Sequence, residues 1–132
     1  MSGKEIFAKT IYAEARGESR EGQEAVGEVI KTRASMNRGY WGGSSVAGVC
    51  RAPRQFECWN NGDIRIDNEA TYRGIRSWSD KMYDQNWSPA RDARYSRGAD
   101  HYNNPDKETA DWTRNCTKGV KIGGHQFYHC PN

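Results

Sequence analysis

Seven residues near the N-terminus, Tyr12-Ala13-Glu14-Ala15-Arg16-Gly17-Glu18, carry the first candidate chemistry. Phe7, Ile11, Glu14 and Glu18 recur at i, i+4, i+7 and i+11, one stripe of a 3.6-residue helix, so Glu14 stands where a core residue would. A carboxyl carried toward a core either pairs with a cation or holds its proton to an unusually high pH. A proton held near neutrality is what a general acid supplies. Glu18 follows one turn later on the same face, and two carboxylates four residues apart repel when both are ionised, which pushes one toward its protonated form. The competing reading is a structural ion pair in which Arg16 or Arg33 neutralises one or both.

Other side chains offer less defined chemistry. Tyr12, Tyr40, Trp41, Phe56, Trp59, Tyr102 and Trp112 fall largely in or near loops and strand edges, where rings either stack on sugars and bases or fill a core. His101, His125 and His129 sit near Cys116 and Cys130. In an extended strand, however, His125 and His129 are two pleats apart, and the cysteine spacings match no common zinc finger, so no metal is assigned. The G-x-S-x-G elbow, Walker loop, H-E-x-x-H and dinucleotide fingerprint are all missing, which removes the serine hydrolase, NTPase and metalloprotease readings and calls for no cofactor. Cys50, Cys58, Cys116 and Cys130 form an even set. They read either as the short-loop disulfides Cys50/Cys58 and Cys116/Cys130 or as four reduced thiols.

The elements that must hold these residues are partly legible. Ser2-Gly3-Lys4-Glu5 has the form of a capping box and predicts a helix over residues 3–16, with Gly17 as its C-terminal cap. A second helix fits Glu21 to about Met36, with Ala25, Val26, Val29, Ile30 and Arg33 on one face and Asn37-Arg38-Gly39 as its stop, packed antiparallel to the first. Residues 39–66 read as a long ordered loop region with a short helix from Ser45 to Arg51. Asp67 is the expected cap of a third helix that buries Thr71, Ile75, Trp78 and Met82 and ends near Gln85. Gly98–Pro105 and Val120–Tyr128 read as short strands of a small antiparallel sheet.

With 132 residues and no repeat or linker, the chain fits one domain, residues 1–132. Mean hydropathy is −1.05, yet five Trp, seven Tyr and three Phe supply large buried areas, so a folded chain with a polar surface is expected. Net charge is +3, and no run of Lys or Arg exceeds two, which lacks the footprint of a dedicated nucleic-acid binder. No stretch approaches the roughly 20 apolar residues of a membrane span, and the first residues do not form a signal-peptide apolar region.

Five motifs in order, Tyr12–Glu18, Glu21-Gly22-Gln23-Glu24-Ala25-Val26-Gly27, Gln55-Phe56-Glu57-Cys58-Trp59-Asn60, Gly98-Ala99-Asp100-His101-Tyr102-Asn103 and Ile122–Tyr128, resemble the SleB/CwlJ family of cell-wall hydrolases. That family comprises spore cortex-lytic enzymes and their phage and bacterial relatives. The resemblance implies a lysozyme-like α+β domain: three main helices, a long ordered loop region and a small antiparallel sheet in the C-terminal third. It also implies action on peptidoglycan glycan strands, with Glu14, the first Glu of the E-A-R-G-E motif, as general acid. Members are described as lytic transglycosylases that cut between N-acetylmuramic acid and N-acetylglucosamine and leave a 1,6-anhydro product. By the same resemblance Glu18, Gln55, Phe56, Trp59, His101, Tyr102 and His125 line the glycan groove. Asn103 stands where relatives often have a second Tyr, and Glu57 where Ser is frequent, which makes Glu57 a candidate second acid. The alternatives are a hydrolytic muramidase, an N-acetylmuramoyl-L-alanine amidase and a non-catalytic glycan-binding module. A monomer is the default, and a chain starting at Met without an export signal fits a phage endolysin or a domain expressed apart from a larger protein.

Overall fold

Helix formation at the N-terminus follows the capping chemistry in the sequence. In the computed structural model, which describes residues 1–53 and 55–131, Ser2 Oγ accepts from the Glu5 amide at 3.2 Å, and the Glu5 carboxylate accepts from the Ser2 amide at 3.4 Å. Helix α1 runs Gly3–Ala15 and buries Ile6, Phe7, Ala8, Ile11 and Tyr12. Its end differs from expectation. Arg16, still in helical conformation, is the cap in place of Gly17, which has no left-handed φ.

Ser19 caps α2 (Arg20–Met36), and Asn37 ends it in the left-handed region at φ 50°. Its inward face carries Ala25, Val26, Val29 and Ile30, together with Glu28, Lys31 and Arg33, all buried. Buried polar groups need partners, and each of these has them. Glu28 accepts from the Ser96 amide and hydroxyl, both at 2.8 Å. Lys31 donates to the Tyr83 and Gln85 carbonyls at 2.7 and 2.9 Å, which ties α2 to the end of a later helix.

The described residues between 39 and 66 form small elements: a 3-10 turn at Gly39–Trp41, helix α3 (Val46–Arg51) capped by Ser45, and a second 3-10 turn at Glu57–Trp59. Helix α4 (Glu69–Asp84) follows. Its cap is Asn68, whose side chain accepts from the Thr71 amide at 3.1 Å, and not Asp67. Asp67 is occupied elsewhere, accepting from the Tyr12 hydroxyl and from Arg16. Ile75, Trp78 and Met82 turn inward, and α4 closes one side of the core built by Phe7, Ile11, Val26 and Ile30. A one-turn helix, α5 (Pro89–Asp92), leads toward the sheet.

Strands β1 (His101–Asn103), β2 (Thr117–Ile122) and β3 (His125–His129) form one antiparallel sheet in the order β1-β3-β2. The segment Val120–Tyr128, expected as one strand, is a hairpin. It folds at Gly123, whose φ of 56° suits a residue without a β-carbon. Central β3 is buried and pairs Tyr102 with Phe127. The architecture is therefore α+β, with three long helices and a small C-terminal sheet. Among the described residues no helix is long and apolar enough to cross a membrane.

Candidate active site

Glu14 lies in the last turn of α1, half-buried, where the helix end meets the sheet. The Tyr102 hydroxyl, delivered by β1, donates a short hydrogen bond to Glu14 Oε1. Burial pushes the Glu14 carboxyl above its ordinary range, against the pull of the Tyr102 bond and the Arg33 charge, while the nearby negative charges of Glu108 and Glu57 push the same way as burial. Tyr102 is held firmly protonated by burial and by the Glu14 carboxylate. Among the described residues no Lys, Arg or His nitrogen lies within 4.0 Å of Glu14. The ion-pair alternative is thus not realised there: Arg16 pairs with Asp67, and Arg33 donates to the Asp100 carbonyl at 2.7 Å and to Gln55 Oε1 at 3.2 Å.

A cavity of about 560 Å³ opens beside the carboxyl, a size suited to a small ligand or part of a polymer. Arg33, Gln55, Phe56 and Glu57 form the wall from α2 and the loop region, and His101, Tyr102, Asn103 and His125 form the wall from the sheet. Arg33 is 5% exposed, packed 5.5 Å from the Trp41 ring centroid and 5.6 Å from that of Phe56. It orients Gln55 and places a positive field over the cavity. The His125 ring packs against that of Tyr102, tilted, with centroids 4.9 Å apart, and burial lowers its pKa, so it is neutral at pH 7. Its Nδ1 and the Asn103 Oδ1 are buried without a protein partner.

Six of the sequence-predicted residues, Glu14, Gln55, Phe56, His101, Tyr102 and His125, line this one cavity. Glu18 and Trp59 do not. Glu18, beyond the end of α1, accepts from the Gly124 amide at 3.1 Å, where it anchors the β2–β3 hairpin. Trp59 is a core residue whose indole donates to Thr10 Oγ1 at 3.0 Å. Arg33, Trp41, Asn103, Asn104, Glu108 and Trp112 were not assigned to the groove from sequence and complete its lining. The signal for Arg33 was its place on the inward stripe of α2. For Trp41 and Trp112 it was an aromatic ring in a loop, which does not by itself distinguish contact from core.

The cysteines divide. Cys116 and Cys130 form a disulfide, as one of the two sequence readings has it, whereas Cys50 and Cys58 are free. Cys50 faces the core from α3, and Cys58 lies against Glu14, so the Cys50/Cys58 disulfide of the first reading is not formed. Both thiols are pushed up to about 12, by burial first and for Cys58 also by the Glu14 charge, which leaves neither as a thiolate nucleophile near neutral pH. His125, His129 and Cys130 do not converge on one point among the described residues. Those that do, Asp100, His101 and Cys130, include a sulfur already spent in the disulfide.

The cleft thus gathers one raised carboxyl, two exposed carboxylates, a buried guanidinium and several aromatic rings. Residues 17–128 match the Cell Wall Hydrolase family, and the chain belongs to it. It is 34% identical over 122 residues to the spore cortex-lytic enzyme of Bacillus subtilis (strain 168), covering 92% of this chain and 36% of that protein. It is 32% identical over 128 residues to the spore cortex-lytic enzyme of Oceanobacillus iheyensis, covering 93% and 40%. The chain thus spans well under half the length of these relatives. Its fold matches the catalytic domain of the germination-specific lytic transglycosylase SleB from Bacillus anthracis, with a TM-score of 0.71, 28% identity, and coverage of 96% of this chain and 93% of that one. The catalytic domain of the Bacillus cereus SleB protein gives a TM-score of 0.68 at 29% identity, with 96% and 88% covered.

Proposed function

We propose that this chain cleaves the bond between N-acetylmuramic acid and N-acetylglucosamine in peptidoglycan as a lytic transglycosylase, with Glu14 as acid and then base. The observation that carries the reading is the Glu14 carboxyl itself: half-buried, raised by burial, aimed by Tyr102 and open to the cavity. Glu14 gives its proton to the glycosidic oxygen as the C1–O bond breaks, leaving an oxocarbenium-like centre on the muramic sugar. The resulting carboxylate then takes the proton of the C6 hydroxyl while O6 bonds to C1. A 1,6-anhydro ring closes, and no water is consumed. The carboxylate formed between the two steps is stabilised by the Tyr102 hydrogen bond and the Arg33 charge. That a structural neighbour is described as a lytic transglycosylase supports this outcome.

A second reading has a specific basis. Glu57 and Glu108 are exposed carboxylates on the same cavity, and either would serve as the base that activates water in a hydrolytic muramidase. The amidase reading is disfavoured by the protonated Cys58 thiol, which offers no nucleophile beside the cavity. Substituting Glu14→Gln and following clearing of purified cell walls tests the assignment. Loss of clearing with retained wall binding is expected, and undiminished clearing rejects it.

A further inference from the structure

We propose that the recess between Trp112 and the Cys116–Cys130 disulfide is a second subsite, which holds a neutral N-acetylated pyranose unit of the strand cut at Glu14. The proposal rests on the reading of the Glu14 cavity as a glycan groove. The recess, about 530 Å³, is lined by Tyr40, Trp41, His101, Trp112 and the two disulfide cysteines. It adjoins the Glu14 cavity, since Trp41, His101 and Trp112 line both. A strand extended from Glu14 over these three rings reaches it.

The exposed apolar surface is concentrated here. Tyr40 is 60% exposed and Trp112 36%, and apart from Met1 they are the large hydrophobic side chains left open to solvent among the described residues. Two such rings at the mouth of one recess mark a contact patch in a way that a scattered apolar side chain does not. The rings are fixed in place by one another. Tyr40 packs on Trp41 at 5.3 Å, Trp41 on His101 at 5.5 Å, His101 on Trp112 at 5.0 Å and Trp112 on Tyr128 at 5.2 Å. A preformed platform loses little conformational freedom when it binds. The disulfide completes it by tying the end of the 3-10 segment that carries Trp112 (Asp111–Asn115) to the residue after β3.

The lining chemistry selects the occupant. Among the described residues no Asp, Glu, Lys or Arg faces the recess. His101 Nδ1 sits 2.8 Å from the Asp100 carboxylate, which also accepts from the Cys130 amide and is held ionised. A carboxylate can only accept, so Nδ1 bears the proton of this bond and Nε2 is the ring nitrogen left for another partner. Aromatic faces offer contact to the weakly positive C–H face of a pyranose, and a free ring nitrogen suits its hydroxyl and acetamido groups. A stem peptide brings carboxylates, which would find no Lys or Arg among the lining residues.

The test uses the full chain carrying Glu14→Gln, so that nothing is turned over, and peptide-free glycan strands of defined length as the probe. Binding is read from indole N–H signals by NMR. The expected result is a saturable shift of the Trp112 indole with strands of four or more sugars. Tyr40→Ala, at a ring that lines the recess and not the Glu14 cavity, should weaken those strands about tenfold, while the disaccharide changes less than about twofold. Trp112→Ala, at a ring shared by both cavities, also weakens the long strands, and Trp112→Phe keeps a ring and retains most of the affinity. Equal weakening at all lengths, no weakening, or a Trp112 shift only when stem peptides are attached would overturn the subsite. If strands bind and perturb His125 but not Trp112, this proposal alone fails; if they bind nowhere, the glycan-groove reading falls with it.

Discussion

Removing the Tyr102 hydroxyl while keeping its ring perturbs Glu14 with the least disturbance elsewhere. The Tyr102 ring packs on His125 at 4.9 Å and Phe127 at 5.7 Å, contacts that Tyr102→Phe preserves. The lost group is the hydroxyl that donates to Glu14 Oε1 and pulls its carboxyl down against the effect of burial. A hydrogen bond to an ionised group contributes about 1.5–3 kcal/mol. Its removal takes that stabilisation from the carboxylate and raises the Glu14 pKa further. The acid step needs Glu14 protonated, so activity falls as pH rises through that pKa. The descending limb of kcat/KM, measured as wall clearing across a pH series, should therefore move to higher pH. The plateau rate should drop, because the acid is weaker and less well aimed. A limb that stays in place, or moves to lower pH, would refute the claim that Tyr102 stabilises the Glu14 carboxylate.

Three further predictions concern the scaffold. Because burial raises the Glu14 pKa above its ordinary 4.5, the folded state favours the protonated form, and the wild type loses stability as pH rises from about 4.5 through the raised value. Glu14→Gln does not titrate, so its melting temperature should match the wild type near pH 4 and exceed it at pH 7; an equal difference at both would contradict the raised pKa. Replacing Cys116 and Cys130 with serine opens a loop of sequence separation 14 and should cost about 2–3 kcal/mol by denaturant melt, with no change if the bond is absent in solution. Gly42→Ala puts a β-carbon 2.2 Å from the Gly48 carbonyl oxygen at φ 96° and should destabilise by at least about 2 kcal/mol, whereas Gly74→Ala, with open space around it in α4, should stabilise by about 0.5–1 kcal/mol.

What the sequence reveals here is what local chemistry decides. The Ser2/Glu5 box and the Phe7–Ile11–Glu14 stripe set α1 and bring Glu14 to the buried side, because capping and periodicity act within a few residues. The Glu18 assignment failed at a helix end. The helical stripe that carries Glu14 does not extend past residue 16, and Glu18 finds an amide donor 106 residues away at Gly124. Trp59 and Trp112 look alike in sequence, both in irregular segments. Only the tertiary partner separates them: Thr10 draws the Trp59 indole into the core, while Trp112 packs on His101 at the cavity rim. The helix cap moved from Asp67 to Asn68 for a similar reason, since Tyr12 and Arg16 claim the Asp67 carboxylate. Gly123-Gly124 marked the hairpin turn but sat inside a run otherwise read as one strand.

The central claim is that one carboxyl, Glu14, carries out both proton transfers without water. Digestion of purified peptidoglycan in heavy-oxygen water, followed by mass spectrometry of the muramic-acid ends, tests it most directly. The account predicts 1,6-anhydro ends, one water lighter than reducing ends and free of the label. Reducing ends that carry the label would contradict it and transfer the base role to a water-activating carboxylate such as Glu57 or Glu108.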